Sequence, residues 1–176
     1  MYLNWGVDYK SSGEQNLFLR AAAITSILAL MVLTPRPWGY VAVLVLAYFY
    51  RKRAMWRGTA PMWTIYAILI YAIAFAIDFI AVGPPAVVPP WWEAVILAPL
   101  AEEYVFRVLP FSALPSPLSW VFAVVIFGVL HKDNPLLASL YGVALSLMYK
   151  GGGYPASVAL HAFNNCIWWL MAAGGF

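Results

Sequence analysis

The stretch ILAPLAEEYVFRVLPF, residues 96–111, determines the class of this protein because it is an apolar segment that carries charge. Apart from Glu102, Glu103 and Arg107, its side chains are typical of a membrane-spanning helix. A carboxylate in hydrocarbon costs several kcal/mol unless it is paired, protonated or turned toward water. We therefore expect these three charged groups to have a specific structural or chemical purpose.

The composition of the whole chain also indicates a membrane protein. Of its 176 residues, 64% are hydrophobic and 10% are charged, and the mean hydropathy is +0.80. Soluble chains contain about 45–50% apolar and about 25% charged residues. We therefore predict an all-α, polytopic transmembrane helix bundle in a cell membrane, with membrane lipids among its partners.

Apolar runs separated by Pro, Gly and polar residues predict about seven helices, within a range of six to eight. The runs cover residues 17–33, 38–50, 61–82, 89–109, 117–131, 135–149 and 155–173. Because a helix needs about 20 residues to cross the hydrocarbon layer, the second run is the weakest candidate for a full crossing.

The basic loop RKRAMWR, residues 51–57, predicts the orientation of the bundle. Loops rich in Lys and Arg stay on the cytoplasmic side and near anionic lipid. With seven crossings, a cytoplasmic basic loop places the N-terminus inside and Arg107 and Lys150 at cytoplasmic ends of their helices. Only Arg36 and Lys132 are then left outside. No nucleic-acid partner is expected, because no soluble module presents the basic patch.

The residues that suggest chemistry are concentrated in the second half of the chain. We predict that residues 1–87 form N-terminal helices without a recognised motif and that residues 88–176 form a catalytic core. Asp78 and Glu93 lie near the ends of their apolar runs, so both are expected to reach interfacial water.

Helical spacing separates the functions of the charged residues in the opening stretch. Glu103 and Arg107 are four residues apart, so they stack on one helix face as an ion pair. Glu102 points about 100° away from Glu103, and the residue four positions ahead of it is Phe106. We therefore predict that Glu103 holds Arg107 and that Glu102 faces a cavity.

The two histidines of the chain, His131 and His161, lie in the same half as Glu102. His161 and Asn165 are four residues apart and share a helix face. A carboxylate and an imidazole that share a water form a general-base pair, and an imidazole with an amide can donate to an oxyanion. The set Glu102, His131, His161 and Asn165 therefore indicates an intramembrane site that hydrolyses an acyl or peptide bond.

Three motifs in this half of the chain resemble those of a known family. EEYVFR at 102–107 fits EExxxR, FGVLH at 127–131 fits FxxxH, and HAFNN at 161–165 fits HxxxN, in the same order on three separate spans. These are the signature motifs of the CPBP or ABI family of CAAX proteases and bacteriocin-processing enzymes. Its eukaryotic members, the type II CAAX prenyl endopeptidases, cleave the last three residues from prenylated CAAX proteins. The resemblance covers about residues 88–170.

The resemblance implies a function for each matching residue. Glu102 and His131 would activate the attacking water, while His161 and Asn165 would stabilise the oxyanion. The residues with supporting positions in the motifs are Glu103, Arg107 and Phe127. Of these, Phe127 would pack behind His131. The implied activity is that of a glutamate-type intramembrane endopeptidase reached from the cytoplasmic side. Its substrate would be a peptide or protein that could be lipidated or membrane-anchored, although the chain is shorter than the eukaryotic members.

Other interpretations of the same residues stay open. Glu102, His131 and His161 could ligate zinc in an intramembrane metalloprotease, but the chain lacks the HExxH pattern, so we expect no metal or cofactor. Intramembrane Glu, His and Asn also line proton or ion pathways, and polar residues also join helices without any chemistry. The absence of paired broken helices in two corresponding halves argues against a transport pathway.

Overall fold

The computed structural model describes residues 13–174, and every regular element in that range is helical. Residues 13–174 form seven helices, as the apolar runs predicted. They are α1 (Gly13–Leu33), α2 (Trp38–Phe49), α3 (Met62–Ala81), α4 (93–113), α5 (Ser116–Leu130), α6 (Pro135–Gly152) and α7 (Tyr154–Gly174). A short 3-10 turn, Arg51–Arg53, follows α2.

Two helices among the described residues are long and apolar enough to cross a membrane, by length and composition. They are α1, over Asn16–Leu33, and α3, over Met62–Ala81, while α2 and α5 are shorter apolar helices. Many large apolar side chains of α1 and α3 are exposed, such as Leu33 at 81% and Ile80 at 83%. Exposure of this kind is expected where a helix face contacts lipid.

Helix α4 lies at the centre of the fold. Every residue from 103 to 110 is buried, and the principal apolar core is built around this helix. Glu93, at its beginning, is also buried with 6% of its surface exposed, so the expectation that it reaches interfacial water is wrong. The charged residues of α4 are therefore inside the protein and do not face lipid.

Helices α4 and α5, which carry the first two motifs, contain π-helical turns. These turns are Glu93–Leu97 and Tyr104–Val108 in α4, and Val121–Ile126 in α5. A π-turn leaves local carbonyl groups without their usual partners and is frequent at functional sites. In the first turn the Ala98 N–H bonds to the Glu93 carbonyl, and Pro99 has no N–H to offer Ala94. The Ala94 carbonyl is therefore available to a side chain from another helix.

The loop 51–57 is docked at one end of the bundle, against the turn between α6 and α7. The Tyr154 N–H donates to the Met55 carbonyl at 2.7 Å, and the Thr59 N–H donates to the Lys150 carbonyl at 3.1 Å. Gly153 has a φ of +83°, and a Cβ there would lie 2.6 Å from the Met55 oxygen. A glycine is therefore required at this contact.

The antiparallel helices α3 and α6 separate two ends of different charge. The docked end carries the cations of loop 51–57 together with Lys150, whereas Asp78 and Asp133 lie toward the opposite end with Arg36 and Lys132. Orientation along α3 follows from its contacts, since Thr64 packs against Gly151 and Asp78 bonds to Tyr141. The basic loop and the end that holds Asp78 and Asp133 are thus separated by the length of the bundle.

Candidate active site

Glu103 and Arg107 form the ion pair that their spacing predicted. Arg107 Nη1 donates to Glu103 Oε1 at 2.9 Å, and neither side chain has any exposed surface. Arg107 Nη2 donates to the carbonyls of Ala123 at 3.5 Å and Gly142 at 3.4 Å. The guanidinium carbon also lies 4.4 Å from the centroid of the Phe127 ring. Arg107 therefore joins α4, α5 and α6 at one buried point.

Glu103 has a second partner that the sequence did not predict. Its Oε1 atom lies 2.8 Å from Nδ1 of His161. A carboxylate accepts hydrogen bonds and does not donate them, so Nδ1 of His161 carries the hydrogen. The other ring nitrogen, Nε2, then lies 3.8 Å from Oε2 of Glu102. The buried carboxylate of Glu103 thus orients the imidazole of His161 toward the carboxylate of Glu102.

Glu102 is held from the opposite direction by α2. The hydroxyl of Tyr40 donates to Glu102 Oε1 at 3.1 Å, and 13% of the Glu102 side chain is exposed. Tyr40 itself is buried, with 6% of its surface exposed. No motif marked this tyrosine in the sequence, because its importance depends on how α2 packs against α4.

His131 ends α5, and its ring is oriented by the backbone of its own helix. Nδ1 lies 2.8 Å from the Phe127 carbonyl oxygen, which can only accept, so Nδ1 carries the hydrogen and Nε2 is left free. The Phe127 ring packs against the imidazole with centroids 4.4 Å apart, as the second motif implied. Within residues 13–174 no hydrogen bond or ion pair joins His131 directly to Glu102.

Asn165 is oriented by the carbonyl that Pro99 leaves without a partner. Its Nδ2 donates to the Ala94 oxygen at 2.8 Å, and its Oδ1 accepts from Asn164 Nδ2 at 3.4 Å. Because the Ala94 carbonyl can only accept, the orientation of the Asn165 amide is determined. One N–H of the amide remains available for another acceptor.

A cavity of about 640 Å³ brings several of these groups together. His131, His161 and Asn165 all line it, whereas Glu102 lies outside its wall and approaches it through His161 Nε2. The loop 83–87 and Asp133 line its outer part. The prediction that Glu102 and His131 share one water stays a prediction, since the contacts described here pair Glu102 with His161.

The residues that line the cavity include the loop 83–87 and Asp133, and none of them belongs to the loop 51–57 at the other end of the bundle. Two expectations from the sequence therefore conflict. If the basic loop is cytoplasmic, a substrate entering past the loop 83–87 approaches from the other face of the membrane.

The zinc alternative does not fit the geometry of these side chains. Among residues 13–174, no group of three or more His, Cys, Asp or Glu side chains is close enough to hold a metal ion. Nδ1 of His161 bonds to Glu103, and within the described range no hydrogen bond or ion pair joins His131 to Glu102. The three proposed ligands Glu102, His131 and His161 therefore do not converge on one point.

Comparison with known proteins supports the family resemblance. Residues 84–167 match the family model of Rce1-like type II CAAX prenyl endopeptidases, and this segment contains all three motifs. No curated protein and no solved structure matches the chain. The resemblance predicted over about residues 88–170 is thereby confirmed.

Proposed function

We propose, from the membership of residues 84–167 in the Rce1-like family of proteases, that this protein is a glutamate-type intramembrane endopeptidase. Its substrate would be a peptide or protein segment at the membrane, which could be lipidated. The observation that carries the proposal is the connected set Arg107, Glu103, His161 and Glu102 beside a cavity lined by His131 and Asn165. If Glu103 and Arg107 were only a structural ion pair, His131 and Asn165 would not be required in the wall of the cavity.

Glu102 is the group we assign to activation of water. Tyr40 holds one carboxylate oxygen, so the other oxygen stays directed toward the cavity side of α4. In the proposed reaction Glu102 takes a proton from the water that attacks the substrate carbonyl, and the proton passes to the leaving amine nitrogen. His131 would position the same water through its free Nε2 atom, which faces the cavity from α5.

Asn165 and His161 are the groups we assign to the oxyanion. The free N–H of the Asn165 amide is held by its bond to Ala94, and a donor that is already oriented stabilises developing charge without reorganisation. Because Nδ1 of His161 bonds to Glu103, its Nε2 donates to an oxyanion only when the ring is doubly protonated. Glu103 and Arg107 act through this ring as positioning residues.

The test is cleavage of a peptide library by the purified protein in lipid vesicles, with and without prenyl groups on the peptides. Cleavage by the wild type that Glu102→Gln abolishes would support the proposal. Glu93→Gln is the matched control, because it replaces another buried glutamate of α4, one whose side chain makes no hydrogen bond or ion pair with Glu102, His161 or Asn165. Equal product from the wild type and Glu102→Gln would refute the assigned mechanism.

A further inference from the structure

We propose that Asp78, with the rings of Tyr71, Tyr141 and Trp168, forms a subsite for a positively charged group of the substrate. The four residues, which we call the acidic aromatic wall, line the same cavity as His161 and Asn165. The group bound there would be a Lys or Arg side chain. This inference rests on the proposed function and adds a substrate class to it.

Within residues 13–174, no Lys, Arg or His side chain forms an ion pair with the carboxylate of Asp78. Asp78 lies in α3, a helix apolar enough to span a membrane, and it accepts a hydrogen bond from Tyr141 at 3.0 Å. Among the described residues, none that lines the cavity is Lys or Arg, and no ion pair involves Asp78. An intramembrane carboxylate is expected to have a partner, and here the cavity is open to one from the substrate.

The aromatic rings around Asp78 suit a cation. The Tyr71 and Tyr141 ring centroids are 5.9 Å apart. The ring of Trp168 packs against that of Phe75, also on α3, with centroids 5.3 Å apart. Aromatic faces attract ammonium and guanidinium groups. Tyr71 is 91% buried, yet its hydroxyl has no hydrogen-bond partner within the part of the chain that the structure describes. An unpaired hydroxyl beside a cavity can accept a hydrogen bond from a cationic group that enters the cavity.

The position of the wall predicts where the basic residue lies in the substrate. Trp168 follows His161 by seven residues on α7, which corresponds to roughly 10 Å along the helix axis. An extended peptide advances about 3.3–3.6 Å per residue, so this distance equals about three residues. We therefore expect Lys or Arg about three residues from the scissile bond. A free carboxylate at the same distance would meet a like charge, which disfavours a C-terminal tripeptide there.

The alternative is that Asp78 and Tyr141 only join α3 to α6. The variant Asp78→Asn separates the two possibilities, because its amide oxygen still accepts from Tyr141 while the charge is removed. Peptides with one Lys, norleucine or Glu, placed at each of four positions on either side of the cleaved bond, provide the readout. Norleucine keeps the four-carbon side chain of Lys without its ammonium group.

The wild type should cleave the best Lys peptide on the order of tenfold faster, in kcat/KM, than its norleucine counterpart, in line with a charged hydrogen bond. Asp78→Asn should bring this ratio close to one, and Asp78→Lys should shift the preference to Glu. Tyr71→Phe removes only the unpaired hydroxyl and should also lower the ratio. This variant provides the test if Asp78→Asn fails to fold. Asp133→Asn, on the outer part of the same cavity, is the control that should keep it.

An unchanged ratio in Asp78→Asn, or no preference in the wild type, would overturn the inference. If the wild type cleaves no peptide, the proposed function fails instead, and binding then decides the inference separately. Calorimetric titration of the Lys and norleucine peptides into Glu102→Gln in detergent measures that binding. Tighter binding of the Lys peptide to Glu102→Gln supports the subsite if the difference disappears in the double variant Glu102→Gln/Asp78→Asn. Equal binding of both peptides to Glu102→Gln refutes it.

Discussion

The imidazole of His161 lies 2.8 Å, through Nδ1, from Oε1 of the fully buried Glu103. The same carboxylate oxygen accepts from Arg107, so the ring is connected to a charge pair in the core of the bundle. A side chain held in this way has little rotational freedom, which is what a preorganised site requires. The second glutamate of the EExxxR motif therefore orients the histidine of the third motif.

Removal of Arg107 alone should strongly destabilise the protein. Arg107→Met leaves the Glu103 carboxylate buried without its cation, which costs about 3–5 kcal/mol. The double variant Glu103→Leu/Arg107→Met should recover most of this stability but stay inactive, because His161 loses its acceptor. Thermal unfolding in detergent measures the first effect and peptide cleavage the second. A double variant as unstable as the single one would contradict this account.

Tyr40→Phe should reduce activity without unfolding the protein. The substitution removes one hydrogen bond to the Glu102 carboxylate, and bonds to charged groups contribute about 1.5–3 kcal/mol, so kcat/KM should fall on the order of tenfold or more. Tyr48→Phe is the matched control, because Tyr48 is an exposed tyrosine on the same helix. Equal losses in both variants would show that the bond to Glu102 has no special importance.

Gly142 should not tolerate a larger side chain. A Cβ at this position would lie 2.9 Å from the Ala123 oxygen and 3.3 Å from a ring carbon of Phe127. Gly142→Val should therefore push α6 away from α5 at the point where Arg107 binds both, at about 1–3 kcal/mol. Gly142→Ala should give a smaller loss of stability in the same thermal assay. A Val variant as stable as the wild type would disprove this close contact.

Two introduced cysteines should show on which face the cavity opens. In a Cys166→Ser background, which removes the single native cysteine, Lys52→Cys marks the basic loop and Val87→Cys marks the outer part of the cavity. An impermeant maleimide should label the two positions from opposite sides of sealed membranes. If both positions are labelled from the same side, the basic loop and the outer part of the cavity do not lie at opposite ends of α3, and this account is contradicted.

Exhaustive chelation should leave peptide cleavage intact. The described side chains of Glu102, His131 and His161 do not converge as a ligand set, so a metal-free reaction is expected. The control is the Glu102→Gln variant, which should be inactive with or without added zinc. Loss of wild-type activity with chelator and its return with zinc would favour the metalloprotease alternative.

The amino-acid sequence was sufficient to predict the helices and the local pairs. Apolar periods and Pro and Gly positions act within one segment, so seven helices could be predicted at nearly their observed bounds. The pairing of Glu103 with Arg107 and the packing of Phe127 on His131 likewise depend only on a spacing of four residues along one helix. The resemblance to the family followed from three short motifs in order, and residues 84–167 match the family model.

Contacts between helices could be established only by the tertiary structure. The bond from Tyr40 to Glu102 joins positions 62 residues apart, and the bond from Tyr141 to Asp78 joins positions 63 apart. Asp78 carried a signal, since a carboxylate within an apolar run is unusual, but its partner could not be deduced from spacing. The partner of Glu102 likewise depended on the relative rotation and depth of α4 and α7.

The sequence by itself thus determined which residues are polar inside an apolar bundle and which neighbours along one helix face each other. The tertiary structure decided which helix each group meets, because packing sets the rotation, depth and tilt of whole helices at once. It paired His161 with Glu103 and Glu102 and placed Asp78 in the wall of the same cavity.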